Sequence, residues 1–211
     1  ADHVGSRLHV CHVSTAGSVD LIRRAKERGI AVTAEATPHH LLLTDELARS
    51  YDPVYKVNPP LRTRRDVEAL LAGVADGTVD IVATDHAPHT AEDKDCEWDV
   101  AAFGMLGLPT ALSVVIDTLV RPGLLDWAGV AERMSVAPAA IGRLADHGRP
   151  IAVGEPANLT VVDPEARWTV EPARFPGPSR SSPYRGMELP GQVTATFLRG
   201  TPTVLAGALQ W

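Results

Sequence analysis

Through about residue 150, short runs rich in β-branched and apolar residues alternate with longer segments whose apolar positions recur at helical spacing. The run RLHVCHV predicts a strand, and SVDLIRRAKERG predicts a helix that starts near Ser18 and stops at Gly29. A second extended run, IAVTAEA, leads through a loop at TPHHLLL to a short helix from Thr44. YKVN reads as a short strand that places Asn58 at its end, because Pro59 and Pro60 remove backbone donors and turn Asn58 away from helix. Thr63 is placed to cap a helix through RRDVEALLAGVADG. The near-continuous apolar run VDIVATD has the character of a strand covered on both faces, with Asp85 at its C-terminal tip. After a polar, acidic loop, Pro109 suits the first turn of a helix in FGMLGLPTALSVVIDTLV, and further helices fit WAGVAERMS and PAAIGRLADH. Strands alternating with helices in this way argue for an α/β fold with a parallel sheet.

Beyond Pro150 the texture changes. ANLTVVD, RWTV and QVTATFLRG read as short strands between turns rich in Pro, Gly and Ser, and FPGPSRSSPYRG as a long loop between two of them. The expected organisation is an α/β portion over residues 1–150 and a small β module over residues 151–211.

Composition narrows the function classes. The 211 residues are 45% hydrophobic and 22% charged, enough apolar material for a sizeable core. A net charge of −6 with no Lys/Arg block leaves no electrostatic footprint for nucleic acid or an acidic membrane surface, so a small-molecule partner is expected. Two cysteines, Cys11 and Cys96, cannot build a framework of several disulfides, and no charged-then-apolar leader opens the chain. The expectation is a cytoplasmic protein. No apolar run approaches the ~18 residues of a membrane-spanning helix.

The chemistry-bearing residues gather where strands end, the position at which α/β folds of parallel strands collect catalytic groups. His12 ends the first run, Asn58 the YKVN run, and Asp85 with His89 the third. A single His at a strand end is commonly a hydrogen-bonded structural residue, and a single Asp commonly caps a helix. Their recurrence at successive strand ends favours a site. His12 and Asp85 are of the types that hold a divalent metal, but two ligands fall short of the three protein ligands of a catalytic zinc. His39 and His40 lie in the TPHHLLL loop without ligand spacing to His12, and His3 and His147 are expected at the surface. Ser14 lacks a nucleophile elbow, GMLGLP lacks the Lys-Ser/Thr of a phosphate loop, and Cys11 is expected to face away from His12.

The segment ATDHAPHTAEDK, residues 83–94, resembles the signature of dihydroorotases in the amidohydrolase superfamily, with its strand-end Asp, a His four residues on and a Lys beyond. HVCHVST, TPHHLLL and KVNPPLR resemble the neighbouring family blocks in the same order, and GEPANLTVVD and SPYRGMELPGQV resemble the C-terminal piece. The resemblance implies a zinc enzyme that interconverts dihydroorotate and N-carbamoyl-L-aspartate in pyrimidine biosynthesis, built as a (β/α)8 TIM-type barrel plus a small β-sandwich. His12 then resembles the metal-binding His of the sixth barrel strand, and Asp85 the eighth-strand ligand and acid/base. Asn58 and His89 resemble substrate contacts, and Phe103 with Gly104 the backbone clamp on the pyrimidine ring. His86 is expected to support the turn.

A barrel of eight strands needs ~250 residues, so the expectation is the C-terminal portion of the barrel, strands six to eight, followed by part of the sandwich. The remaining ligands of a site with two Zn2+ would lie in an N-terminal half. The expected partners are that half or a second copy, and aspartate transcarbamoylase. Alternatives are a cyclic amidase of the hydantoinase or allantoinase type and a non-catalytic dihydroorotase-like scaffold subunit. The loop over residues 90–102 fits either a lid or an ordinary solvated loop.

Overall fold

A computed structural model describes residues 1–210. The α/β portion is built on a parallel sheet in the order β1 (Leu8–Val10), β2 (Val32–Ala36), β3 (Ile81–Val82). Leu8 pairs with Val32, and Glu35 with Ile81. The strands are shorter than their apolar runs. His12 lies two residues past β1 and Asp85 three past β3, and both have positive φ, 53° and 46°. Neither residue is glycine, so each turn is a mildly strained one that lifts a side chain off the strand tip.

Helix α1 (Ala16–Glu27) is capped by Thr15, whose side chain accepts from Ser18 N. Helix α4 (Arg64–Asp76) opens with a reciprocal capping box between Thr63 and Asp66. Asp66 also accepts from Ala16 N at 2.9 Å, so one carboxylate fixes the starts of both helices. The two pack closely at Gly73, where a Cβ would stand 3.0 Å from Val19 Cγ1. Val19, Ile22, Leu70 and Val74 from these helices meet Ala34, Ala36 and Val82 from the sheet in one core.

Between β2 and α4 the chain departs from expectation. TPHHLLL is not a loop: Pro38–Leu42 form helix α2, capped by Thr37, followed by α3 (Asp45–Ala48). YKVN is not a strand, so Asn58 does not sit at a strand end; it is exposed in an irregular connection. The Lys56 carbonyl, which a ladder neighbour would take, instead receives Gly104 N at 3.0 Å and Lys94 Nζ at 3.4 Å. After the short helix α5 (Ala91–Lys94), α6 (Ala111–Val115) continues as a π turn over Ile116–Val120. Helix α7 (Trp127–Ala131) runs through a second π turn into α8 (Ala137–Gly142), which ends at Arg143 in left-handed conformation and not at His147.

The C-terminal strands form an antiparallel sheet in the order β4 (Leu159–Thr169), β5 (Glu188–Leu198), β6 (Thr201–Leu205), β7 (Ala208–Leu209). ANLTVVD and RWTV are therefore one long strand, interrupted by register shifts. Val170, Tyr184 and Leu189 share a second core with Leu43, Val57, Leu61, Met105 and Val114. Among the described residues no helix is long and apolar enough to cross a membrane.

Candidate active site at the strand tips

The turns after β1 and β3 bring His12 and Asp85 together: His12 Nε2 lies 3.6 Å from Asp85 Oδ1. Two ligands on one tetrahedral ion, with bonds of ~2.0–2.1 Å, place their donor atoms ~3.4 Å apart. The pair therefore has the separation of two ligands of a single metal. On the far side of the imidazole, Nδ1 lies 2.8 Å from Glu35 Oε1. The N–H is not aligned with that oxygen, and Nδ1 has no hydrogen-bond partner among the described residues.

Glu35 is a buried carboxylate one residue before the end of β2, a residue that composition and spacing do not single out. Its other oxygen lies 2.9 Å from His9 Nε2, and His9 Nδ1 lies 2.8 Å from Thr33 Oγ1. Cys11 joins His9 and Glu35, with ligand atoms all within 4.8 Å of one another. Both nitrogens of His9 already have partners in the chain, so that trio is less available to an ion than the His12–Asp85 pair. The available signal was a charge inside the small-residue run VTAEA, where a covered strand otherwise excludes one. Burial raises the pKa of Asp85, His12 lowers it, and Glu35 raises it again, leaving it above the ordinary carboxylate value.

His39 and His40 are both 1% exposed, with ring centroids 4.4 Å apart. His40 Nε2 donates to Pro59 O at 3.0 Å, and Nδ1 meets Thr37 Oγ1 at 2.7 Å, which ties α2 to the segment carrying Asn58. Burial holds His40 down to about 4, and burial with the neighbouring His40 and His12 holds His39 well below the usual value. Both rings are neutral at physiological pH, and His39 Nε2 is buried without a partner among the described residues.

The segment after Asp85 is held by its own side chains. His86 Nδ1 accepts from the backbone N–H groups of Gly107 and Leu108, at 3.1 and 3.2 Å, so its proton sits on Nε2. His89 Nε2 donates to Phe103 O at 2.7 Å. Gly104, with φ 125°, has its N–H on Lys56 O and its carbonyl on Lys94 Nζ at 2.8 Å. The expected two-residue backbone clamp is thus committed inside the protein at all but one of its polar groups. The Phe103 N–H has no partner among the described residues, and the Phe103 side chain is exposed.

No family model matches the chain. Its fold matches about half the length of hydantoinase and dihydropyrimidinase structures. The L-hydantoinase (dihydropyrimidinase) of Arthrobacter aurescens superposes with a TM-score of 0.92 at 31% identity, covering 100% of this chain and 47% of that one. The dihydropyrimidinase of Brevibacillus agri NCHU1002 gives 0.91 at 24% identity over 99% of this chain, which speaks to the fold alone. In sequence, curated proteins named dihydroorotase stand nearer. That of Streptomyces coelicolor is 68% identical over 209 residues, and that of Mycobacterium tuberculosis 54% over 210. The chain spans about half the length of these relatives, 49% of each.

Proposed function

We propose that this chain is the C-terminal portion of a zinc-dependent dihydroorotase, acting in the cytoplasm on dihydroorotate and N-carbamoyl-L-aspartate in de novo pyrimidine biosynthesis. In this reading β1 to β3 are strands six to eight of a (β/α)8 barrel, residues 151–211 are a segment of its β-sandwich, and an N-terminal half supplies the remaining ligands for two Zn2+. The observation that carries it is the convergence of His12 Nε2 and Asp85 Oδ1 at 3.6 Å, in a chain 68% identical to a dihydroorotase.

His12 and Asp85 would hold the metal, with Glu35 behind His12 limiting its rotation. The ion, when bound, supplies Lewis acidity toward water and the ring amide carbonyl. Asp85 takes the proton from the attacking water and delivers it to the departing ring nitrogen. Asn58 and His89 hold the exocyclic carboxylate. With Nε2 given to Phe103 O, His89 has Nδ1 left to face the substrate. Phe103 N–H is the free donor for the ring.

Asp85→Asn in the full-length protein is expected to reduce turnover of dihydroorotate to roughly a thousandth or less. Turnover near the wild-type rate removes Asp85 from this role. The hydantoinase neighbour motivates a second reading, a cyclic amidase for uncharged rings. His89→Ala separates the two: a rise in KM for dihydroorotate far larger than for hydantoin supports the carboxylate contact, and equal losses on both count against it.

A further inference from the structure

The loop between α5 and α6 is organised by two lysines whose roles composition and spacing do not assign. Lys94 is 6% exposed and aims its ammonium at three backbone carbonyls: Gly104 O at 2.8 Å, Ala102 O at 2.9 Å and Lys56 O at 3.4 Å. An ammonium carries three N–H donors, so all three are directed to backbone acceptors and none is left for solvent or a ligand. Lys56 Nζ donates to Trp98 O at 2.6 Å and Asp99 O at 3.1 Å, and lies 4.6 Å from the centre of the Phe103 ring. Both cations hold main chain where surface lysines ordinarily hold water or carboxylates.

The consequence falls on one tripeptide, residues 102–104. Ala102 O and Gly104 O are held by Lys94, and Phe103 O between them by His89. Ala102 N goes to Asp93 O and Gly104 N to Lys56 O. Among the described residues every backbone polar group across 102–104 is therefore tied inward except one, the Phe103 N–H. Gly104 leaves no room for a side chain: a Cβ there would stand 2.6 Å from Ala87 Cβ and 3.0 Å from His89 Nε2.

We infer that Lys94 is a positioning residue, which fixes the backbone of residues 102–104 so that the Phe103 N–H is presented, preformed, beside His89 to the ring of the substrate. The inference deepens the proposed function and rests on it for the identity of that ring. It also bears on the loop over residues 90–102: where that loop ends, residues 102–104 form a fixed wall and not a moving lid.

The test uses the full-length protein with Lys94→Met, which keeps the buried stem and removes the donors. The expected result is a KM for dihydroorotate raised about tenfold or more with kcat within about threefold, together with amide exchange at Ala102 and Gly104 at least about tenfold faster. In the His89→Ala background the same substitution is expected to add less than about threefold to KM, because the two residues hold one backbone segment. An unchanged KM overturns the inference, even if thermal stability falls, and so does full additivity with His89→Ala. If Lys94→Met does not fold, Lys94→Gln retains two donors and carries the same readouts, with an intermediate effect expected. A wild-type protein that turns over hydantoin but not dihydroorotate refutes the substrate reading alone. The KM for hydantoin and the exchange rates then decide the role of Lys94.

Discussion

His39 and His40 are buried as neutral rings, and this sets a direction for stability against pH. His40 titrates near 6.5 when unfolded and is held to about 4 in the fold by burial. Between those values the unfolded chain binds the proton and the folded chain does not, so stability is complete above about pH 6.5 and is lost as pH falls toward 4. The contribution of His40 is about 3 kcal/mol. A urea-midpoint series from pH 7 to pH 4 is expected to show this decline, and His40→Gln to flatten it; a decline of equal depth in the variant would assign it to other groups. The approach of His12 and Asp85 was legible because each follows the end of a strand in one parallel sheet, where a recurrence of such residues favours a shared site over separate structural roles. Glu35 was not legible, since a strand's alternation says which face a residue takes but not that two histidines stand on that face.

At the scale of elements, the same carboxylate that closes the α4 capping box also holds the first turn of α1. Thr63→Ala is expected to cost about 1 kcal/mol, the ordinary value of a lost cap, and Asp66→Ala about twice that because it releases Ala16 N as well. Equal losses in chemical denaturation would mean that the Ala16 bond contributes nothing. The helices α1 and α4 and the order of apolar runs could be read from periodicity and caps. Between β2 and α4 only the short helix from Thr44 could. The rest of the backbone there is ordered by partners distant in sequence, Gly104 and Lys94 on Lys56 O and His40 on Pro59 O, so no local pattern distinguishes it from strand or loop.

At the scale of the whole molecule, Tyr184 joins the C-terminal sheet to the α/β portion. It is 1% exposed in the second core, and its hydroxyl has no partner among the described residues. Tyr184→Ala is expected to cost about 3–5 kcal/mol, as for a large buried ring, and Tyr184→Phe to be neutral or slightly stabilising. Because Val170 and Leu189 pack in the same cluster as Leu43 and Val114, the loss should appear as one transition by circular dichroism and tryptophan fluorescence alike. Two separated transitions would show that the sheet unfolds independently. The parallel sheet has a different consequence. Among the described residues β1 is paired with β2 alone, and Leu8 within it and Val4 before it are 48% and 71% exposed. An unpaired strand edge next to apolar side chains is a template for aggregation. The isolated chain is therefore expected to self-associate with rising concentration in sedimentation. A hydrogen-bonding edge that serves assembly in one setting becomes, when left uncovered, the point from which precipitation grows.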